Sequence, residues 1–243
     1  MACQAQKGAG GAGGEAITVA AAADLQFAFG EIGQLFQRET GHKAVFIFGS
    51  SGTLATQIEN GAPVDVFAAA NSQFVDDLRA RGMLLGDTQQ LYALGRIVLA
   101  GDKRSGLSLR EVDELARPDV KRVAIANPEH APYGRAARQA LEARGIWEQV
   151  RPKLVYGENV RQALQYIQTG NAEAGIVALS IANVAEVDYV LVDEGLHQPL
   201  RQALAVVAGS KHEQAARELI VFINGPLGRP IMKKYGFLLP GEF

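Results

Sequence analysis

The sequence predicts an α/β protein of two lobes, each a sheet covered by helices, with a ligand cleft between them and two extended strands crossing from lobe to lobe. Three observations predict it. Short apolar and β-branched runs alternate with amphipathic helical segments along almost the whole chain, the pattern of repeated βαβ units. Two longer extended runs, 91–100 and 204–208, can carry the chain out of a first lobe and back into it. Small, hydroxyl or glycine residues also stand where four of the helices begin, and a cleft is where such starts are useful.

Residues 17–23 are a short apolar run of strand length. Asp24 then opens a helix with Leu25, Phe29, Ile32 and Phe36 on one face, and Gly41 ends it. A second strand, 45–48, breaks at Gly49 and restarts as a helix through Leu54 and Ile58. The next strand covers 64–67, and Asn71 caps a helix through Phe74 and Leu78 that stops at Gly82.

Past the first crossing, 122–126 reads as a strand and 133–144 as a helix ended by Gly145. A strand at 154–156 leads into a helix whose buried stripe is Val160, Leu164 and Ile167. Strands at 174–179 and 189–192 follow. After the second crossing come helices through Ala215, Leu219, Phe222 and Ile223, then past Pro226 to Met232. Strands separated this regularly by helices argue for parallel sheets. The expected organisation is a leader over 1–15, a first lobe over 16–94, a second over 95–204, and a return to the first over 205–243.

With 243 residues, 48% of them hydrophobic and 21% charged, the chain can bury a substantial core. A net charge of −2 with mixed signs leaves no basic stripe for nucleic acid, so any anion must be held by a local site. No run approaches the roughly 18 apolar residues that span a bilayer. Cys3, the one cysteine, precedes a Gly/Ala-rich stretch resembling the start of a mature bacterial lipoprotein, where Cys3 would carry a lipid anchor. An arbitrary leader accounts for the same residues.

The most informative stretch is Gly49-Ser50-Ser51-Gly52-Thr53, between strand and helix. Helix starts expose unpaired N–H groups at a partially positive end, and small residues let an anion approach them. A serine helix cap explains this motif by itself. What favours an anion cradle is repetition of the device at Ala23-Asp24, Pro132-Tyr133-Gly134 and Asn159-Val160.

Catalytic alternatives are weaker. Gly49 and Ser51 miss a nucleophile elbow because Thr53 stands where a glycine is required, which leaves a serine hydrolase using Ser51 as the rival class. His42, His130, His197 and His212 form no metal-ligand pair, and no phosphate-loop or dinucleotide fingerprint follows a strand. Neither a cofactor nor a catalytic residue is expected.

These segments resemble the periplasmic molybdate-binding proteins of ABC transporters, from about Ile17 to the C-terminus. The residues that carry the resemblance are Ala20-Ala21-Ala22-Ala23-Asp24-Leu25, Gly49-Ser50-Ser51-Gly52, Gln57-Ile58-Glu59-Asn60-Gly61-Ala62-Pro63, Asn127-Pro128-Glu129-His130-Ala131-Pro132-Tyr133-Gly134 and Lys234-Tyr235-Gly236-Phe237. The resemblance implies the type II two-lobed binding-protein fold and a monomer that captures molybdate or tungstate and hands it to a membrane permease. Phosphate or sulfate is the alternative ligand, and a sensor the alternative partner.

The resemblance also implies that Ser51 gives its hydroxyl and amide to the ligand, while Tyr133 and Val160 give backbone amides from the second lobe. Asp24 occupies a ligand position where many relatives place serine or asparagine, and an ionised carboxylate cannot donate to an anion. The expectation is that Asp24 caps its own helix, turning the carboxylate away and leaving its amide for the ligand. The other account is that it accepts a proton from the ligand. Ala178 is a second departure, standing where some members have tyrosine.

Overall fold

A computed structural model describes residues 14–243. The leader and Cys3, with the lipid anchor expected there, lie outside the described residues. Two five-stranded sheets form the scaffold. The first contains β1 (Ala16–Ala22), β2 (Lys43–Gly49), β3 (Val66–Ala69), β4 (Gln90–Gly95) and β10 (Leu200–Val206), in the order β2-β1-β3-β10-β4. The second contains β5 (Ile97–Asp102), β6 (Val123–Ala126), β7 (Leu154–Gly157), β8 (Ala174–Ala178) and β9 (Val187–Leu191), in the order β7-β6-β8-β5-β9. The two orders are equivalent: in each, the strand arriving from the other lobe is inserted between the third and fourth strands of its own.

The sheets are mixed, which corrects the all-parallel expectation. β1, β2 and β3 run parallel, as do β6, β7 and β8. β10 is antiparallel to β3 and β4, and β5 is antiparallel to β8 and β9. A strand that enters a sheet from the other lobe is not bound by the right-handed βαβ crossover that forces parallel pairing.

The first crossing is the single residue Arg96, between β4 and β5, whose guanidinium holds the Gly236 carbonyl oxygen at 2.8 and 3.1 Å. The second lies within 192–199, upstream of the boundary at 204 expected from the sequence, because Leu200 already pairs with Gly95 of the first sheet. Gln202 breaks the apolar run that marks a strand, so sequence periodicity locates the strand only from Leu204. Gln202 is nevertheless fully buried.

Helices cover both faces of the first sheet. On one face Ile17, Val19 and Ala21 pack on α1 (Gln26–Thr40) through Phe29, Ile32 and Phe36, all of them buried. On the other, Ala20, Phe67 and Ala69 meet Leu54 and Ile58 of α2 (Ser51–Glu59) and Val75 and Leu78 of α3 (Ser72–Ala80). A fully buried aromatic or aliphatic side chain contributes roughly 1.5–3 kcal/mol each by removal of apolar area from water.

In the second lobe α4 (Pro132–Ala143) and α6 (Val160–Gln168) lie against the sheet, α5 (Trp147–Val150) follows α4, and α7 (Leu179–Ala182) faces α1. Gly134 lets the first turn of α4 lie directly on β6, since a Cβ there would stand 2.2 Å from the Ala126 carbonyl oxygen. The chain closes with α8 (Glu213–Asn224) and α9 (Gly228–Lys234) on the first lobe.

Candidate functional site

In both sheets the parallel strands end at the cleft. β1 leads into Asp24, β2 into Ser50 and Ser51, β3 into Ala70, β6 into the loop before Tyr133, and β7 into Asn159 and Val160. Open α/β sheets bind ligands at the carboxyl ends of their strands. Here two such edges face each other, and Asp24, Ser51, Tyr133 and Val160 line one small cavity. The structure therefore brings together all four residues singled out from the sequence.

Local chemistry aims the backbone into this cavity. Ser50, in extended conformation, caps α2 by accepting the Thr53 N–H at 3.3 Å, so Ser51 becomes the first helical residue. Asn159 caps α6 by accepting from the N–H groups of Arg161 and Gln162 at 3.0 and 3.1 Å. Pro132 fills the first position of α4, where a missing N–H costs nothing. The next groups in line, the N–H of Ser51, Tyr133 and Val160, have no hydrogen-bond partner among the described residues. The buried Ser51 hydroxyl accepts from the Ala70 N–H at 2.9 Å, which leaves its own proton free to donate.

The cleft is shut. The Gly52 N–H donates to the His130 carbonyl oxygen at 2.9 Å, and the Ser50 hydroxyl is bonded to His130 Nδ1 at 2.7 Å, both across the lobes. Arg135 lies over the Phe74 ring at 5.5 Å and Arg161 over the Phe27 ring at 5.7 Å, so the rim carries two cation–π contacts between lobes. His130 and Arg161 thus work at the rim, and neither lines the cavity. The imidazole sits on Ser50 rather than Ser51, and the one hydrogen bond recorded for the Ser51 hydroxyl is to an amide.

Asp24 departs from expectation. It lies inside a 3-10 turn, Ala23–Leu25, preceding α1, where its side chain makes no capping bond. The capping reading is corrected: Asp24 is one residue past the turn's first position, and stronger donors lie elsewhere. Its Oδ2 accepts from Tyr133 Oη at 2.9 Å and from Gln202 Nε2 at 2.7 Å, and the Ser180 hydroxyl donates to its carbonyl oxygen at 2.8 Å. Gln202 is fixed in turn by Tyr92, whose hydroxyl donates to Oε1 at 2.8 Å. Oδ1 is buried without a partner among the described residues.

Burial pushes the Asp24 carboxyl up to about 6, against hydrogen bonds from Gln202 and Tyr133 that favour the ionised form. Burial likewise pushes the Tyr133 and Tyr92 hydroxyls well up, so both remain protonated. Sequence reasoning missed Gln202, Tyr92 and Ser180. The available signal was Gln202, a polar residue within an apolar strand.

Other features hold no comparable arrangement. A larger hollow at the opposite end of the first lobe contains Asp65, whose carboxylate is already taken by the Thr18 N–H and the Ser210 hydroxyl, each at 2.7 Å. Among the described residues no cluster of His, Cys, Asp and Glu is placed to hold a metal ion, and no helix is long and apolar enough to cross a membrane.

Two lobes joined by crossing strands and shut on a cavity of hydrogen-bond donors define a solute-binding protein of the two-lobed class. The chain belongs to the bacterial extracellular solute-binding protein family, whose model matches residues 17–238. The molybdate-binding protein ModA of Azotobacter vinelandii is 35% identical over 227 residues, covering 91% of this chain and 89% of that protein. ModA of Rhodobacter capsulatus is 33% identical, with coverage of 93% and 89%. A putative ABC transporter substrate-binding lipoprotein of Bacillus subtilis, YvgL, is 31% identical, with coverage of 91% and 85%. The solved periplasmic molybdate-binding protein of Azotobacter vinelandii superposes with a TM-score of 0.87 at 29% identity, over 92% of this chain and 99% of that one.

The buried carboxyl makes a stability prediction. Its folded value of about 6 lies above the ordinary carboxylate value of 3.8 that applies to the unfolded chain, so its contribution is fully present below 3.8 and is lost as pH rises through 6. The loss amounts to about 3 kcal/mol, at about 1.4 kcal/mol per unit. Denaturant unfolding at pH 4, 5.5 and 7 is expected to show Asp24→Asn gaining on the wild type across this range. Parallel pH profiles would show that the carboxyl carries no such penalty.

Proposed function

We propose that the protein captures molybdate, and tungstate with it, between its lobes outside the cytoplasm and delivers it to an ABC permease. The observation that carries this reading is the donor set. Three unpaired helix-start N–H groups and one free hydroxyl proton converge on a cavity lined by no Lys or Arg. Pre-aimed neutral donors suit a small, fully ionised tetrahedral oxyanion, because they offer hydrogen bonds in a dry site without immobilising long charged side chains. The names of the relatives supply the metal, since geometry of this kind accepts sulfate as well as molybdate in principle.

In this mechanism the ligand enters an open cleft and accepts from Ser51 on the first lobe and from the Tyr133 and Val160 amides on the second. Closure is favoured by the ligand's added contacts with the shut form. The rim contacts of His130, Arg135 and Arg161 complete the closed surface that a permease would read. Binding and release involve no bond-breaking, and among the described residues the Ser51 hydroxyl is bonded to the Ala70 amide while the His130 imidazole is on Ser50, which favours this reading over a hydrolase. Lipid attachment at Cys3 would tether the protein at the cell surface, and the Bacillus subtilis relative is named a lipoprotein.

Calorimetric titration with molybdate, tungstate, sulfate and phosphate tests the assignment, with molybdate and tungstate expected to bind tightest. Ser51→Ala is expected to cost about 1–3 kcal/mol of molybdate affinity with the fold unchanged, the usual effect of deleting one charge-assisted donor. Phosphate binding in the absence of molybdate binding would overturn the ligand.

Closure itself is testable at Gly52. A Cβ there would stand 2.7 Å from the carbonyl oxygen of His130 on the opposite lobe. Gly52→Ala is expected to fold normally yet retain, by small-angle scattering in molybdate, a larger radius of gyration than the wild type. Identical scattering with ligand would show that the lobes do not meet at this point.

A further inference from the structure

Asp24 is the one carboxylic acid among the described residues that line the cavity. Its two oxygens are unlike. Oδ2 is occupied by two donors of fixed direction: Tyr133 Oη, and Gln202 Nε2, whose amide is oriented by the Tyr92 hydroxyl bonded to its oxygen. Oδ1 is buried, has no partner among the described residues, and belongs to a residue that lines the oxyanion cavity. A fully ionised oxyanion beside this oxygen would place like charges together in a dry site. An ionised carboxylate has nothing to donate to it.

We propose that Asp24 takes up one proton from solvent when a fully ionised oxyanion binds, and presents an Oδ1–H donor to it, so that capture of such an anion is coupled to proton uptake. This rests on the oxyanion reading given above. The balance is simple: carboxylate, proton and dianion become a neutral carboxyl hydrogen-bonded to the dianion, with no covalent change in the ligand. An anion that still carries a proton would bring its own and need none from solvent.

The surroundings leave no other group to neutralise the contact. From β10 Asp24 faces Gln202, from β4 Tyr92, from α4 Tyr133, from α7 Ser180, from α2 Ser51 and from α6 the Val160 backbone, none of which is a cation. The titrations coupled to Asp24 are those of Tyr92 and Tyr133, both held protonated. His130 is engaged by Ser50, and Arg161 by Gln168 and the Phe27 ring. In the shut cleft burial already brings the carboxyl up to about 6, and a neighbouring dianion raises it further.

The test is molybdate calorimetry on wild type and Asp24→Asn at pH 7.5, in two buffers of different ionisation enthalpy, with affinities followed from pH 6.5 to 8. Wild type is expected to take up close to one proton per molybdate and to lose affinity by nearly tenfold per pH unit. Asp24→Asn can keep the Tyr133 and Gln202 bonds on its amide oxygen and turn its NH₂ to the ligand. It is expected to bind with no proton uptake, a flat pH profile, and tighter than wild type at pH 8. Wild-type binding without proton uptake, or equal pH slopes in both proteins, would overturn the coupling and leave the oxyanion reading standing. Binding by neither protein would overturn both.

Discussion

A buried backbone N–H must find an acceptor, and the architecture of this protein leaves three of them, in residues that line one cavity, without one among the described residues. Each arises because a helix starts where a parallel strand stops: α2 after β2, α4 after β6, and α6 after β7. Capping by Ser50 and Asn159 and the proline at position 132 dispose of the neighbouring groups, so that the amides of Ser51, Tyr133 and Val160 remain. The equivalent strand orders of the two sheets then set these starts face to face. What fills the gap must accept several hydrogen bonds at once and must be small.

Much of this was legible in the sequence because it depends on local rules. Glycines and hydroxyls at a strand-to-helix turn, an asparagine before Val160 and a proline before Tyr133 are signals readable over a few residues. They marked the helix starts at Asp24, Ser51, Tyr133 and Val160, while the resemblance to molybdate-binding proteins supplied the expectation that these four meet at one ligand. The elements with strong periodicity, such as α1 with Phe29, Ile32 and Phe36, were legible for the same reason.

What was not legible depends on contacts between distant segments. The direction of the Asp24 carboxylate is decided by Tyr133 and Gln202, which lie 109 and 178 residues away in sequence, so a local capping rule gave the wrong orientation. Gln202 also concealed the start of β10, because, next to the exposed Arg201, a buried polar residue breaks the apolar run that defines a strand. Antiparallel pairing of β5 and β10 follows from each strand entering from the opposite lobe, a fact about topology that alternation of elements does not encode. His130 was legible as the histidine of the loop leading to the Tyr133 helix start, but its role was not, because its contacts with Ser50 and Gly52 are made across the lobes when the cleft is shut.

The central claim is that uncharged hydrogens from both lobes hold one oxyanion. Crystals grown with tungstate and measured across the tungsten absorption edge locate the heavy atom directly. The account predicts a single anomalous peak inside the cavity, with tungstate oxygens within hydrogen-bonding distance of the Ser51 hydroxyl and of the Ser51, Tyr133 and Val160 amides. A peak held instead by Lys or Arg side chains, or one confined to the outer surface with the cavity empty, would contradict it.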